Sequence, residues 1–280
     1  PAAALTASAT GTNVNCFGQS TGSMSVSASG GTLSYSYVIA GPTVNTTGAT
    51  SGNFTGLSAG AYTVTVTDSK GCSTTATYAV TQPAAALTSS ISSQTNVDCF
   101  GNSTGSVTVA GANGTSPYTY AKDGFTFVSS GTFGSLAVGS YTITVKDDNG
   151  CTKTQAVTIT QPAAISVNNI ILDASCRLSN NGSIDITVSG GTGPYTFLWS
   201  NGSIAEDIAN LYLGNYTVKI TDSNNCTLTK NYTVGAGICP IDAINDGPTT
   251  VQTGATATTV GNVTANDTLN GVLVTAANTD

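Results

Sequence analysis

Residues 57–72 read LSAGAYTVTVTDSKGC, residues 136–151 read LAVGSYTITVKDDNGC, and residues 211–226 read LYLGNYTVKITDSNNC. Leu, Gly, Tyr, Asp and Cys hold the same offsets in all three, so the chain is a tandem array and its fold is the fold of its repeat. In the first copy Tyr62, Val64 and Val66 alternate with Thr63, Thr65 and Thr67, which gives a strand one apolar and one hydroxylated face. Tyr141, Ile143 and Val145, then Tyr216, Val218 and Ile220, repeat the pattern, and β-branched residues suit a half-buried pleated surface. Asp68, Asp147 and Asp222 end their strands in polar turns before the Cys opens another strand, which predicts a hairpin.

Working outward, each copy is preceded by a cysteine loop, a Gly and a second amphipathic strand. Cys16 leads to Gly22 with Met24 and Val26 inward, Cys99 to Gly105 with Val107 and Val109, and Cys176 to Gly182 with Ile184 and Ile186. An aromatic strand follows, YSYVI from Tyr35, PYTY from Pro117 and PYTFLW from Pro194, which aligns Ile39, Lys122 and Trp199. A Lys at that apolar position predicts a site near a sheet edge, where its stem snorkels. Phe54, Phe133 and Ile208 lie three residues before the Leu of the quoted stretch, and Tyr78/Val80, Val157/Ile159 and Tyr232/Val234 mark the final strands. Six or seven short strands per unit predict an all-β protein of tandem Ig-like or fibronectin-like antiparallel β-sandwiches. The units are read as residues 1–82, 83–161 and 162–236. Three-residue TQP linkers at 81–83 and 160–162 hold the backbone extended, so an extended rod is expected.

From residue 237 to 280 the grammar changes to GAGICPIDAINDGP and a Thr/Val alternation without Tyr, Trp or Phe. This segment reads as a partial β-domain or a strand-donating tail, too small to offset its own ordering entropy. Pro1 corresponds to Pro83 and Pro162, so the chain is read as a piece that starts on a repeat boundary.

The chain's 280 residues carry a net charge of −7, only 8% charged residues and no His. Seven basic residues supply no phosphate-neutralising patch, which excludes nucleic acid and anionic membrane surfaces as expected partners. No apolar run approaches the roughly 18 residues of a membrane span, so no insertion is expected. Without His there is no Ser-His-Asp or Cys-His arrangement. Glu206 with Asp207 and Asp147 with Asp148 are adjacent carboxylates that point to opposite faces of a strand, unlike a glycosidase pair. An enzyme is not expected. The seven cysteines fall into similarly spaced pairs, Cys16 with Cys72, Cys99 with Cys151 and Cys176 with Cys226, leaving Cys239 unpaired. One pair per repeat predicts disulfides inside each repeat and an oxidising, extracellular compartment.

Asp68, Asp147 and Asp222 are candidate calcium ligands, but Asp is also the residue that caps its own turn, and the turn reading is preferred. Asp242, Asp246, Asn266 and Asp267 are candidate calcium ligands at a domain junction. Trp199, with Tyr195 and Phe197, is either a sugar-stacking platform or core, and a lone Trp in a sandwich strand reads as core. Asn-x-Ser/Thr sequons arise by chance in so Asn- and Thr-rich a chain and decide nothing. Thr- and Ser-lined surfaces with little charge favour lateral packing of copies.

The Leu-x-x-Gly-x-Tyr stretch resembles the tyrosine corner of Ig-like domains, with Tyr62, Tyr141 and Tyr216 as the corner residues. By its TQP boundaries, the CFGxSTGS loop, PYTFLW and LxxGxYTVxVxDxxGC, the chain resembles the SprB-type repeat of gliding-bacterial surface adhesins from Pro1 to about Val234. Repeat three departs from it at CRLSNNGS. The tail resembles the start of cadherin-like or Ig-like adhesin repeats at NDGP and GNVTANDT. The resemblance implies a non-enzymatic, filamentous cell-surface adhesin of gliding motility, exported by type IX secretion. The expected function is an extracellular stalk or filament, a homo-polymer joined head to tail by strand sharing or a run of further repeats. The alternative is a calcium- or glycan-binding module of a larger adhesin.

Overall fold

A computed structural model describes residues 3–237 and, beyond them, the strand residues 249–253, 256–261, 268–269 and 272–273. Every regular element among them is a β-strand. The quoted stretches form the long central strands β5 (Gly60–Asp68), β11 (Gly139–Lys146) and β17 (Gly214–Thr221). Their alternation has the expected consequence: Val64, Val66, Ile143, Val145, Val218 and Ile220 are fully buried, with threonines on the other face.

Chain contacts divide the molecule into two units, one of residues 1–97 and 103–160, the other of 98–102 and 161–280. The first unit holds two sandwiches. In the first of them β1 (Thr6–Thr12), β2 (Gly22–Ser29) and β4 (Asn53–Leu57) make one sheet in the order β1-β2-β4. The facing sheet is β3-β5-β6, from β3 (Tyr35–Ala40) and β6 (Ser73–Val80). Met24, Val26, Tyr37, Ile39, Phe54, Leu57, Tyr62 and Val80 fill the space between them. The second sandwich repeats the plan with β7 (Thr88–Thr95), β8 (Gly105–Ala112) and β10 (Thr132–Leu136) against β9 (Thr119–Ala121), β11 and β12 (Thr152–Ile159). Its β9 is an edge strand that stops at Ala121. Lys122 beyond it is exposed and sets its ammonium 5.9 Å from the Tyr141 ring centroid, the snorkelled placement its sequence position suggested.

The second unit holds the third sandwich, β13 (Ser166–Leu172), β14 (Gly182–Ser189) and β16 (Ile208–Leu211) against β15 (Thr196–Trp199), β17 and β18 (Thr227–Val234). Its core is built on Ile184, Ile186, Trp199, Leu211, Val218, Ile220 and Val234. After it come two antiparallel strand pairs, β19 (Thr249–Thr253) with β20 (Thr256–Gly261), and β21 (Thr268–Leu269) with β22 (Val272–Leu273). No described helix is long and apolar enough to cross a membrane.

Candidate functional site

Each sandwich has two unlike ends, and the difference decides where the cysteines go. At one end of the first sandwich the Cys16 loop is tied to the outgoing linker. Val14 N–H donates to Thr81 O at 2.9 Å, Gly18 N–H to Gln82 Oε1 at 2.8 Å, and Thr81 N–H to Asn13 Oδ1 at 2.9 Å. At the other end the β5–β6 turn carrying Cys72 lies beside the β2–β3 turn, through Ser69 N–H to Thr32 O at 3.2 Å and Thr32 N–H to Asp68 Oδ2 at 3.0 Å. Between the two ends runs the eight-residue β2, about 25 Å of extended chain.

Pairing inside each repeat is therefore corrected. Cys16 bonds Cys151, with Cα atoms 5.7 Å apart, and Cys99 bonds Cys226, at 5.6 Å, both within the ordinary span of a disulfide. Cys72 is free and exposed. Cys176 is disulfide-bonded, but not to Cys226, which Cys99 occupies. In the first unit the TQP linker leaves one sandwich beside its cysteine loop and delivers the next sandwich hairpin-end first, so the near partner of Cys16 is Cys151 and the same-repeat Cys72 is far away.

Around each bond the loop is also held by hydrogen bonds. Asn149 Nδ2 donates to Asn15 O at 3.3 Å and to Thr115 Oγ1 at 2.9 Å. In the second unit Asn224 Nδ2 donates to Asp98 O at 3.0 Å and to Thr192 Oγ1 at 3.2 Å. Phe17 and Leu87 line the cleft beside the Cys16–Cys151 bond. Phe100 and Ile165 do so beside Cys99–Cys226.

The turn aspartates organise these hairpins. Asp68 Oδ1 accepts from the N–H of Lys70 and of Cys72, both at 2.9 Å, and Oδ2 accepts from Thr32. Asp147 accepts from Cys151 and Thr115, and Asp222 from Asn224, Cys226 and Thr192, at 2.8 to 3.0 Å. All three carboxylates are buried, with backbone donors occupying the lone pairs a calcium ion would use, which favours the turn role. The Thr32 N–H foremost, with those of Cys72 and Lys70, holds the Asp68 carboxyl below the usual range. In an exposed turn Asp123 is held at about 2, chiefly by Thr126, with the Phe125 N–H adding to it.

The corner tyrosines each reach back four residues: Tyr62 donates to Ser58 O at 2.9 Å, Tyr141 to Ala137 O at 3.0 Å and Tyr216 to Tyr212 O at 3.0 Å. Trp199 is 2% exposed and donates through Nε1 to Ala205 O at 2.9 Å. Tyr195 and Phe197 pack against the same core. The sugar-platform alternative is overturned, because the indole face is spent on the core. Glu206 is exposed, while Asp207 accepts from Ile186 N–H at 2.8 Å. Cys239, Asp242, Asp246, Asn266 and Asp267 lie outside the described residues.

Three stretches, residues 8–44, 91–122 and 168–204, match the SprB repeat family. Three regions of the chain are thus similar to the SprB repeat. Each match spans the cysteine loop and the first strands of one sandwich, so the staple loops lie inside the matched stretches themselves. The match ends at residue 204, and the cadherin-like reading of the tail stays an expectation. No curated protein matches the sequence. Among solved structures, the N-terminal eight Ig domains of Down syndrome cell adhesion molecule are 10% identical, covering 89% of this chain and 49% of that one at a TM-score of 0.30. Extracellular domains 3–5 of Drosophila OTK are 12% identical, covering 63% and 70% at 0.25. The chain spans about half the length of the first of these, and at such TM-scores neither carries an argument.

Proposed function

We propose that the chain is a structural and adhesive segment of an extracellular surface protein, in which SprB repeats form a stalk or filament and loops contact partners. The observation that carries this reading is that each described disulfide pair joins the loop of one repeat to the hairpin of the following repeat. Such bonds join successive repeats covalently at a second point besides the peptide linker, and they restrict the unfolded chain of both repeats at once. Disulfides also point to an oxidising compartment. The lack of His and the structural engagement of the buried carboxylates speak against an enzyme. Export by type IX secretion and a part in gliding belong to the same proposal, on the strength of the SprB repeats alone.

Head-to-tail assembly is proposed with it, strands after residue 237 being completed by another copy. The stalk is tested by small-angle scattering of the oxidised protein. An extended profile is expected, and a compact one sinks the stalk.

A further inference from the structure

The first hairpin is built like the two that are stapled, yet its cysteine is free. Asp68 N–H donates to Cys72 O at 2.9 Å, as Asp147 does to Cys151 O and Asp222 to Cys226 O, both at 3.0 Å. Gly31 N–H donates to Ala3 O at 2.7 Å, as Gly191 does to Ala163 O at 2.8 Å. The wall against which the Cys16 loop seats includes Ala86, Leu87, Asn149 and Cys151. At the equivalent positions the first repeat has Ala4, Leu5, Lys70 and Cys72, a match in all but the Asn. The two hairpins of the same construction each hold a cysteine loop, and the described loop cysteines Cys16, Cys99 and Cys176 are already bonded.

We infer that the Cys72 hairpin is a docking site for the cysteine loop of a further SprB repeat, which it binds through a disulfide. In forming that bond the two thiols give up two protons and two electrons to a disulfide oxidant, which leaves as its dithiol. Lys70 in place of Asn removes the side-chain amide that elsewhere holds the carbonyl ahead of the loop cysteine, so this site relies more on the covalent bond. The inference stands apart from the adhesive reading, since it concerns only how repeats join.

The test uses the full oxidised chain and a peptide of residues 13–22, NVNCFGQSTG, whose cysteine is capped as a thionitrobenzoate disulfide. The Cys72 thiolate attacks the peptide sulfur, the new S–S bond forms, the capping bond breaks, and thionitrobenzoate leaves as a coloured thiolate. The native loop is expected to react about tenfold faster than a scrambled peptide with the same cap, the ratio one docking contact supplies. Lys70→Asn is expected to raise the native rate a further several-fold, and Cys72→Ser to abolish release. Equal rates for native and scrambled peptides would overturn the inference. So would release that persists in Cys72→Ser, or a Lys70→Asn rate no higher than the original.

Discussion

Asn224 donates from Nδ2 to the main-chain carbonyl of Asp98, 3.0 Å away although 126 positions separate them in sequence. The bond fixes the residue ahead of Cys99 over the turn that carries Cys226, so the staple is seated by hydrogen bonding as well as by sulfur. Asn149 and Asn15 stand in the same relation in the first unit. Asn224→Ala is therefore expected to loosen the Cys99–Cys226 bond while leaving the sandwich core intact. Loss of one such hydrogen bond is worth about 1 kcal/mol, or about fivefold in the thiol–disulfide equilibrium. Alkylation after equilibration in graded dithiothreitol redox buffers measures it. An unchanged midpoint would mean that sulfur alone seats the loop.

The Asp68 carboxylate gives the first sandwich an acid-sensitive element. Its folded pKa lies below the unfolded value of 3.8, with the Thr32 N–H the largest cause. The ionised group therefore contributes stability above the unfolded pKa, and that contribution is lost as pH falls through the folded one. Asp123, lowered from 3.8 to about 2, has the same sign and loses its contribution between about pH 4 and pH 2. In Asp68→Asn an amide NH2 faces a backbone donor whichever way it flips, since both carboxylate oxygens accept N–H bonds. The variant is expected to melt below the original protein at pH 7, with the gap closing below about pH 4. Melting curves across that range check it, and a gap that stays constant from pH 7 to pH 2.5 would exclude the carboxylate's charge as its source.

The sandwich was legible in the sequence because alternation at Tyr62, Val64 and Val66 repeats three times, and a strand with one apolar face has one way to sit. Trp199 as core and Asp68, Asp147 and Asp222 as turn residues followed from local chemistry, which survives without knowledge of neighbours. The cysteine partners did not, because pairing depends on which end of a sandwich each loop occupies. Spacing within a repeat is blind to that. The available signal was the three-residue linker, which leaves no chain to separate one repeat's exit from the next repeat's first turn. The same limit hid a compensation across the sheets. Tyr78 donates to Gly11 O at 2.9 Å over a position where any Cβ would lie 2.6 Å from its ring. In the third sandwich the position paired with Ile184 is Ile171 rather than Gly, and Tyr232 lies 6.0 Å from Trp199 instead.

That exchange predicts opposite responses to one substitution. The Tyr232 hydroxyl is buried without a partner among the described residues, and burial raises its pKa. Tyr232→Phe is expected to be neutral or stabilising by up to about 1 kcal/mol, whereas Tyr78→Phe loses a made bond and costs about that much. Denaturant midpoints at unchanged slope compare them, with the fluorescence of Trp199 reporting the third sandwich. A clear destabilisation by Tyr232→Phe would mean that the hydroxyl has a partner after all.

The strands beyond residue 237 bear on the proposed assembly. β19 with β20 and β21 with β22 are two-stranded sheets, and a lone two-stranded sheet is marginal in water. Among the described residues no third strand pairs with either sheet, and a sheet edge of this kind accepts an added strand along its length. If another copy supplies that strand, the contact is head to tail and propagates when it does not close into a ring. Deleting residues 241–280 then removes the donor and the acceptor together, and leaves the three sandwiches and the Cys16–Cys151 and Cys99–Cys226 staples in place. Electron microscopy and sedimentation of the full and shortened chains at equal concentration are expected to show filaments only for the full chain. Filaments of equal length from the shortened chain would sink strand sharing through this segment, and would direct the search for the contact to the Thr- and Ser-lined faces of the sandwiches.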